Sequence, residues 1–106
     1  TGNGSTDGPF VYCGFRPRYV MIKRTDAIND WGVYDTARNT YNLTNYSLYP
    51  NNSTAENGTW TTSENTIDIL SNGFKVRASN AGANASGGTY IYMAFAESPF
   101  NYSRAR

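Results

Sequence analysis

The sequence predicts an all-β domain: an antiparallel β-sandwich, jelly-roll-like, of six to eight strands with one long ordered loop. Three observations predict it. Helix formers such as Leu, Glu, Lys and Gln are scarce, while Asn, Ser, Thr, Gly and Tyr abound, which favours strands and turns. No stretch repeats apolar residues at helical spacing. Short apolar or alternating runs recur instead between clusters of Gly, Asn and Asp. The 106 residues fit a single domain, 1–106. A chain of this size buries roughly two-thirds of its unfolded surface, enough for one core without covalent staples.

"FVYCGF" (Phe10 to Phe15) reads as a first short strand after a turn-rich "GNGSTDG" segment. That segment lacks the Lys and the following helix that a phosphate loop needs. Cys13 is the only cysteine, so no internal disulfide can form; beside Tyr12 it reads as a small buried hydrophobe. "RYVMIKRT" (Arg18 to Thr25) is a second strand, with Pro17 at its entrance and Val20 and Ile22 on one face. "WGVYDT" (Trp31 to Thr36) is a third, after a "DAIND" turn.

A polar stretch from Ala37 to Glu64 follows, too long for an ordinary connection. Its aromatic residues argue for an ordered excursion, since disordered segments are poor in them. Tyr41, Leu43 and Leu48 are its candidates for packing on the core. "TIDIL" (Thr66 to Leu70), the turn "SNG" and "FKVRAS" (Phe74 to Ser79) make a hairpin, with Asn-Gly suited to positive φ. "NAGANASGG" (Asn80 to Gly88) reads as a flexible loop, and "TYIYMAFAE" (Thr89 to Glu97) as the last strand. Neither face of that strand is made for water. Ile91, Met93 and Phe95 are expected to fill the space between the sheets. Tyr90, Tyr92, Ala94 and Ala96 are then left for a subunit interface, with the polar excursion as the other candidate cover.

The chemistry available is limited. The chain has no histidine, which removes Ser-His-Asp and Cys-His machinery and His-based metal sites. Glycoside hydrolysis needs only two carboxylates, but nothing pairs any of the eight acids. "DAIND" lacks the spacing of a calcium loop. No cofactor and no metal are expected. Nine basic residues against eight acidic ones give no field for a nucleic-acid backbone. The longest mostly apolar run, Tyr90 to Ala96, is far short of the roughly 20 residues of a spanning helix. The first residue is not Met, which suggests a fragment or a processed chain. N-x-[ST] sequons begin at Asn42, Asn45, Asn51, Asn52, Asn57, Asn84 and Asn101, as expected by chance in so Asn-, Ser- and Thr-rich a chain. The polar excursion carries the best functional signal. Its aromatics either stack on sugars, with Asn hydrogen-bonding hydroxyls, or simply cover the domain. The candidate ligand-binding residues are Trp60, Tyr41, Tyr46, Tyr49 and Asn52.

The succession "TGNGSTDGPFVYCGFRPRYVMIKRTD", "YDTAR", "LYPN", "IDILSNGFKVR" and "TYIYMAFAESPF" resembles a domain of unknown function. That domain stands at the C-terminal end of virion structural proteins of tailed, notably marine, bacteriophages, often beside a lectin-like concanavalin-type sandwich. The resemblance implies a non-enzymatic component exposed on the virion: a tail-fibre domain contacting host surface glycans. The alternatives are a head fibre or capsid decoration module without a ligand and, more remotely, a carbohydrate-active enzyme. It further implies contacts with other virion proteins and a homo-oligomer, trimeric as fibre domains commonly are. No catalytic residues come with it. Assembly in a reducing cytosol suits a chain without disulfides.

Overall fold

The computed structural model describes residues 1–56 and 65–97. The element order is β1 (Phe10–Tyr12), β2 (Pro17–Arg24), β3 (Gly32–Asp35), β4 (Ile67–Leu70), β5 (Gly73–Val76), α1 (Ala81–Asn84) and β6 (Tyr90–Ala96). The strands form two antiparallel three-stranded sheets, ordered β1-β5-β4 and β3-β2-β6. The all-β expectation holds. The strands fall where the sequence puts them, give or take three residues at their ends.

One core joins the two sheets. Val20, Ile22 and Tyr34 come from one; Ile67, Ile69, Phe74 and Val76 come from the other. Period-2 alternation places them: in β2, Val20 and Ile22 are buried, whereas Tyr19 and Met21 are only partly covered. Each fully buried side chain of this size contributes about 1.5–3 kcal/mol over exposure. Phe74 meets Tyr92 of the other sheet edge-on, with ring centroids 5.4 Å apart.

The β4–β5 hairpin forms as expected, pairing Leu70 with Gly73 around Ser71 and Asn72. Its turn does not use positive φ: among the described residues only Gly4, Gly14 and Gly87 have it. Gly73 is there for close approach, because a Cβ on it would stand 1.9 Å from the Val11 carbonyl oxygen of β1. The Asn80 to Gly88 segment is also not the loop expected of it. Asn80 caps α1 by accepting from Ala83 N–H (3.2 Å). Asn84 is wholly buried, its Nδ2 donating to Asn3 Oδ1, Ser5 O and Ala78 O at 2.8–2.9 Å. This amide anchors the N-terminal segment, and a glycan on its nitrogen would displace all three bonds.

The facing of β6 is the main correction. Tyr90 and Ala94 pack against the core, and Tyr92 reaches Phe74. The hydroxyl of Tyr90 accepts from Ala85 N–H and donates to Ala81 O, both at 2.8 Å, which fastens β6 to α1. Hence Tyr90, Tyr92, Ala94 and Ala96 lie on the inner side of the sheet. Ile91, Met93 and Phe95, about half exposed, lie on the outer side rather than between the sheets. Small Ala94 stands opposite Val20, and the hydroxyl end of Tyr90 finds polar partners at the margin of the core, which Ile91, Met93 and Phe95 could not use.

A polar cleft beside β3 as the candidate functional site

From Ala37 to Glu56 the polar excursion is tied to both sheets, and Asn side chains are the means. Asn42 Oδ1 accepts from Ile69 N–H and its Nδ2 donates to Ile69 O, both at 2.8 Å, so one amide acts as a strand partner for β4. Thr44 and Ile67 exchange backbone hydrogen bonds (2.8 and 3.1 Å), as do Val33 and Leu48 (2.9 and 3.1 Å). Asn39 Oδ1 receives the backbone N–H groups of Asn45 and Tyr46. Arg38 bonds Asp35 Oδ2 at 2.6 Å and Glu56 at 3.1 Å. Burial alone would raise the Asp35 pKa. The hydrogen bonds from Arg38 and from Ala37 N–H, together with the Arg38 charge, outweigh it and hold the carboxyl below its ordinary value.

Between this excursion, β3 and α1 lies a cleft of about 290 Å³. Its floor is Ile22, Gly32, Tyr34, Gly82 and Ala83; its walls are Asn29, Asp30, Tyr49, Thr54 and Asn65. Asn51 sets the rim, donating to Asp30 Oδ1 (2.9 Å) and accepting from Trp31 N–H (3.0 Å). Tyr49 OH receives Ser47 Oγ–H and Asn65 Nδ2–H (3.2 and 3.1 Å).

Several polar groups in the cleft lack partners. Tyr34 is 2 % exposed, yet its hydroxyl makes no hydrogen bond among the described residues. Burial, with Tyr49 beside it, holds this phenol well above its ordinary pKa, so it stays a neutral O–H. Gly82 leaves room in the floor: a Cβ there would sit 3.1 Å from Asn65 Oδ1, 3.5 Å from Asn29 Oδ1 and 3.6 Å from Asn80 Oδ1. Of these three oxygens, only that of Asn80 accepts a hydrogen bond among the described residues. The cleft therefore offers amide and carboxylate acceptors with hydroxyl donors over an apolar floor, and no cation lines it among the described residues. Such a set suits a small ligand rich in hydroxyl groups.

The candidate residues read from sequence do not converge. Tyr49 lines the cleft. Asn52 stands just outside it, accepting from Thr54 N–H at 2.9 Å. Tyr41, 86 % exposed, adjoins Asn42 at the β4 edge, and Tyr46 follows the Asn39 clasp, away from the cleft. Trp60 lies outside the described residues. Asn29, Asp30, Tyr34 and Asn65 escaped sequence reasoning. Tyr34 reads as one core residue among others, and Asn29 and Asn65 are two of many asparagines in turns.

Fold and site together define a small two-sheet β domain with a cleft lined by hydroxyl and amide groups. The chain belongs to the family described as DUF7483, a domain of unknown function, which matches residues 1–99. No curated protein and no solved structure matches it.

Proposed function

We propose that this domain is a non-enzymatic component of a bacteriophage virion, exposed on the particle as part of a tail fibre, and that it binds host surface glycans through the cleft beside β3. The observation that carries the reading is the convergence in one cleft of the Tyr34 and Tyr49 side chains with Asn29, Asp30 and Asn65. Amide oxygens and phenol hydroxyls gathered in this way can hydrogen-bond the hydroxyl groups of a ligand. At about 290 Å³ the cleft is at the small end of ligand sites, the size of one sugar ring. Among the described residues Asp30 is the charged group in the lining, which favours a neutral sugar over an acidic one.

A glycan array probed with the 106-residue chain tests this. Binding to a set of neutral glycans is expected. Tyr34→Phe, which removes only a hydroxyl without a hydrogen bond among the described residues, should weaken it about tenfold and leave thermal stability unchanged. Binding unaffected by Tyr34→Phe and Asn65→Ala would place the glycan elsewhere. The second reading, a decoration or assembly module without a ligand, draws support from the exposed apolar side of β6. Gold-labelled antibody against the chain on intact virions separates head from fibre.

A further inference from the structure

We propose that β6 pairs with β6 of a second copy of this chain, antiparallel about a two-fold axis through Met93, joining two β3-β2-β6 sheets into one. This inference does not depend on the glycan reading.

The first observation is an open edge. Strand β6 ends its sheet and pairs only with β2 among the described residues. Thr25 N–H donates to Thr89 O at 2.9 Å, so Thr89, Ile91, Met93 and Phe95 bond towards β2. By alternation, the N–H and C=O groups of Tyr90, Tyr92, Ala94 and Ala96 point outward, and none of them bonds a described residue. Edges of this kind are usually blunted by charge, proline or a bulge. The 7 residues Tyr90–Ala96 carry no charge, no proline and no glycine. The one irregularity lies on the β2 side, between Pro17 and Tyr19.

The second observation selects the occupant, because the edge is complementary to itself. Pairing requires outward-pointing residues to face outward-pointing residues. With Met93 on the axis, Tyr90 meets Ala96 of the second copy and Tyr92 meets its Ala94. Every outward amide and carbonyl of the strand then finds a partner. On the inner side each large Tyr stands against a small Ala. On the outer side Met93 meets Met93, and Ile91 meets Phe95. Shifting by two residues would set Tyr92 against Tyr92 or Ala94 against Ala94 and leave an end unpaired. Charge agrees with the same register. Glu97 of the second copy, whose carboxylate pairs with Arg18 in its own chain at 3.0 Å, comes opposite Thr89, on the face that carries Lys23, a cation with no ion pair among the described residues.

The third observation is the outer face itself. Ile91, Met93 and Phe95 are 51, 48 and 53 % exposed and continue the surface of Tyr19 and Met21, with Tyr19 5.8 Å from Phe95 between ring centroids. Strand addition covers the flank of this patch, where single copies leave it open to water.

The test is the oligomeric state of the chain with the register read by cross-linking. Light scattering after size exclusion should give a dimer at micromolar concentrations. Met93→Lys, at a half-exposed outer position, brings two ammonium groups together on the axis and should weaken association about tenfold or more. In a Cys13→Ala background, Met93→Cys should oxidise in air to a covalent dimer, because the two positions form a non-hydrogen-bonded pair with Cα atoms about 4.5 Å apart, within the span of a disulfide. Met21→Cys, one strand inward on the same face, should not. Circular dichroism confirms that each variant is folded. A monomer at all concentrations, a trimer, or a dimer that Met93→Cys fails to link while Met21→Cys links it would overturn the proposal.

Discussion

Between β3 and β4 the two sheets are laced together along their edges by the chain itself; between β1 and β6, among the described residues, only the N-terminal segment crosses, at one end. On the first side, residues 37–56 bond to the edge of each sheet: Leu48 to Val33 of β3, and Asn42 and Thr44 to Ile69 and Ile67 of β4. On the second side, an apolar gap of about 140 Å³ opens between Val11, Phe74, Tyr90 and Tyr92, and no described residue pairs with the outer edge of β6. The difference teaches what the unusual composition is for. An Asn side chain is a peptide group on a short tether. Asn42, Asn39, Asn51 and Asn84 each satisfy backbone groups that would otherwise need another strand. The asparagines are thus mainly structural, and what remains unengaged, in the cleft and along β6, is where other molecules can be received.

The largest expected effect is on the laced side. Asn42→Ala removes both hydrogen bonds to Ile69 and the acceptor 3.4 Å from Thr44 Oγ1. A loss of about 2 kcal/mol in unfolding free energy is expected from denaturant titration. Limited proteolysis should cut within 37–56 well before it cuts β6. If proteolysis of the variant keeps the parent pattern, the excursion is held chiefly by Leu48 and Arg38, and the Asn42 pairing is incidental.

How much of this contrast is legible in the sequence depends on which physical signal carries it. Strand positions are legible because Val20/Ile22, Ile67/Ile69 and Phe74/Val76 alternate cleanly, and the structure buries all six. Order in the excursion is legible from its aromatics. The facing of β6 is not, because Tyr-Tyr-Ala-Ala and Ile-Met-Phe are both apolar and a one-residue shift exchanges the faces without penalty in the pattern. Long-range partners decide it: Phe74 for Tyr92, and α1 for the Tyr90 hydroxyl. The cleft is hidden for a similar reason. Asn29, Tyr34, Asn65 and Gly82 meet only through the packing of β3 against α1 and the excursion.

A smaller effect is expected from pH, and it should also be confined to the laced side. Asp35 titrates below its ordinary value when folded, so its contribution is fully present above the unfolded carboxyl pKa of about 3.9 and is lost as pH falls through the folded value. Protonation weakens the Arg38 pair and the bonds from Ala37 and Arg38 N–H. Asp35→Asn should cost about 1 kcal/mol at neutral pH and flatten the acid limb of the stability curve. Amide exchange between pH 5 and 3 should accelerate first in 37–48. Acceleration beginning in β6 would reverse the comparison.

The smallest effect on stability, and the most telling, belongs to the open side. Phe95 is 53 % exposed on the outer face and touches Tyr19 in its own chain. Phe95→Thr keeps a strand-favouring residue and gives up one tilted aromatic contact. The monomer should lose about 0.5–1 kcal/mol, measured at concentrations too low for association. The parent's melting temperature should rise with protein concentration, since a partner that binds only the folded state stabilises it by mass action. In the Phe95→Thr variant that rise should shrink, because Phe95 faces Ile91 of the second copy in the Met93-centred register. A parent whose melting temperature is independent of concentration would mean that the bare edge tolerates water. The contrast between the two sides would then lie in how the sheets are joined and not in what they bind.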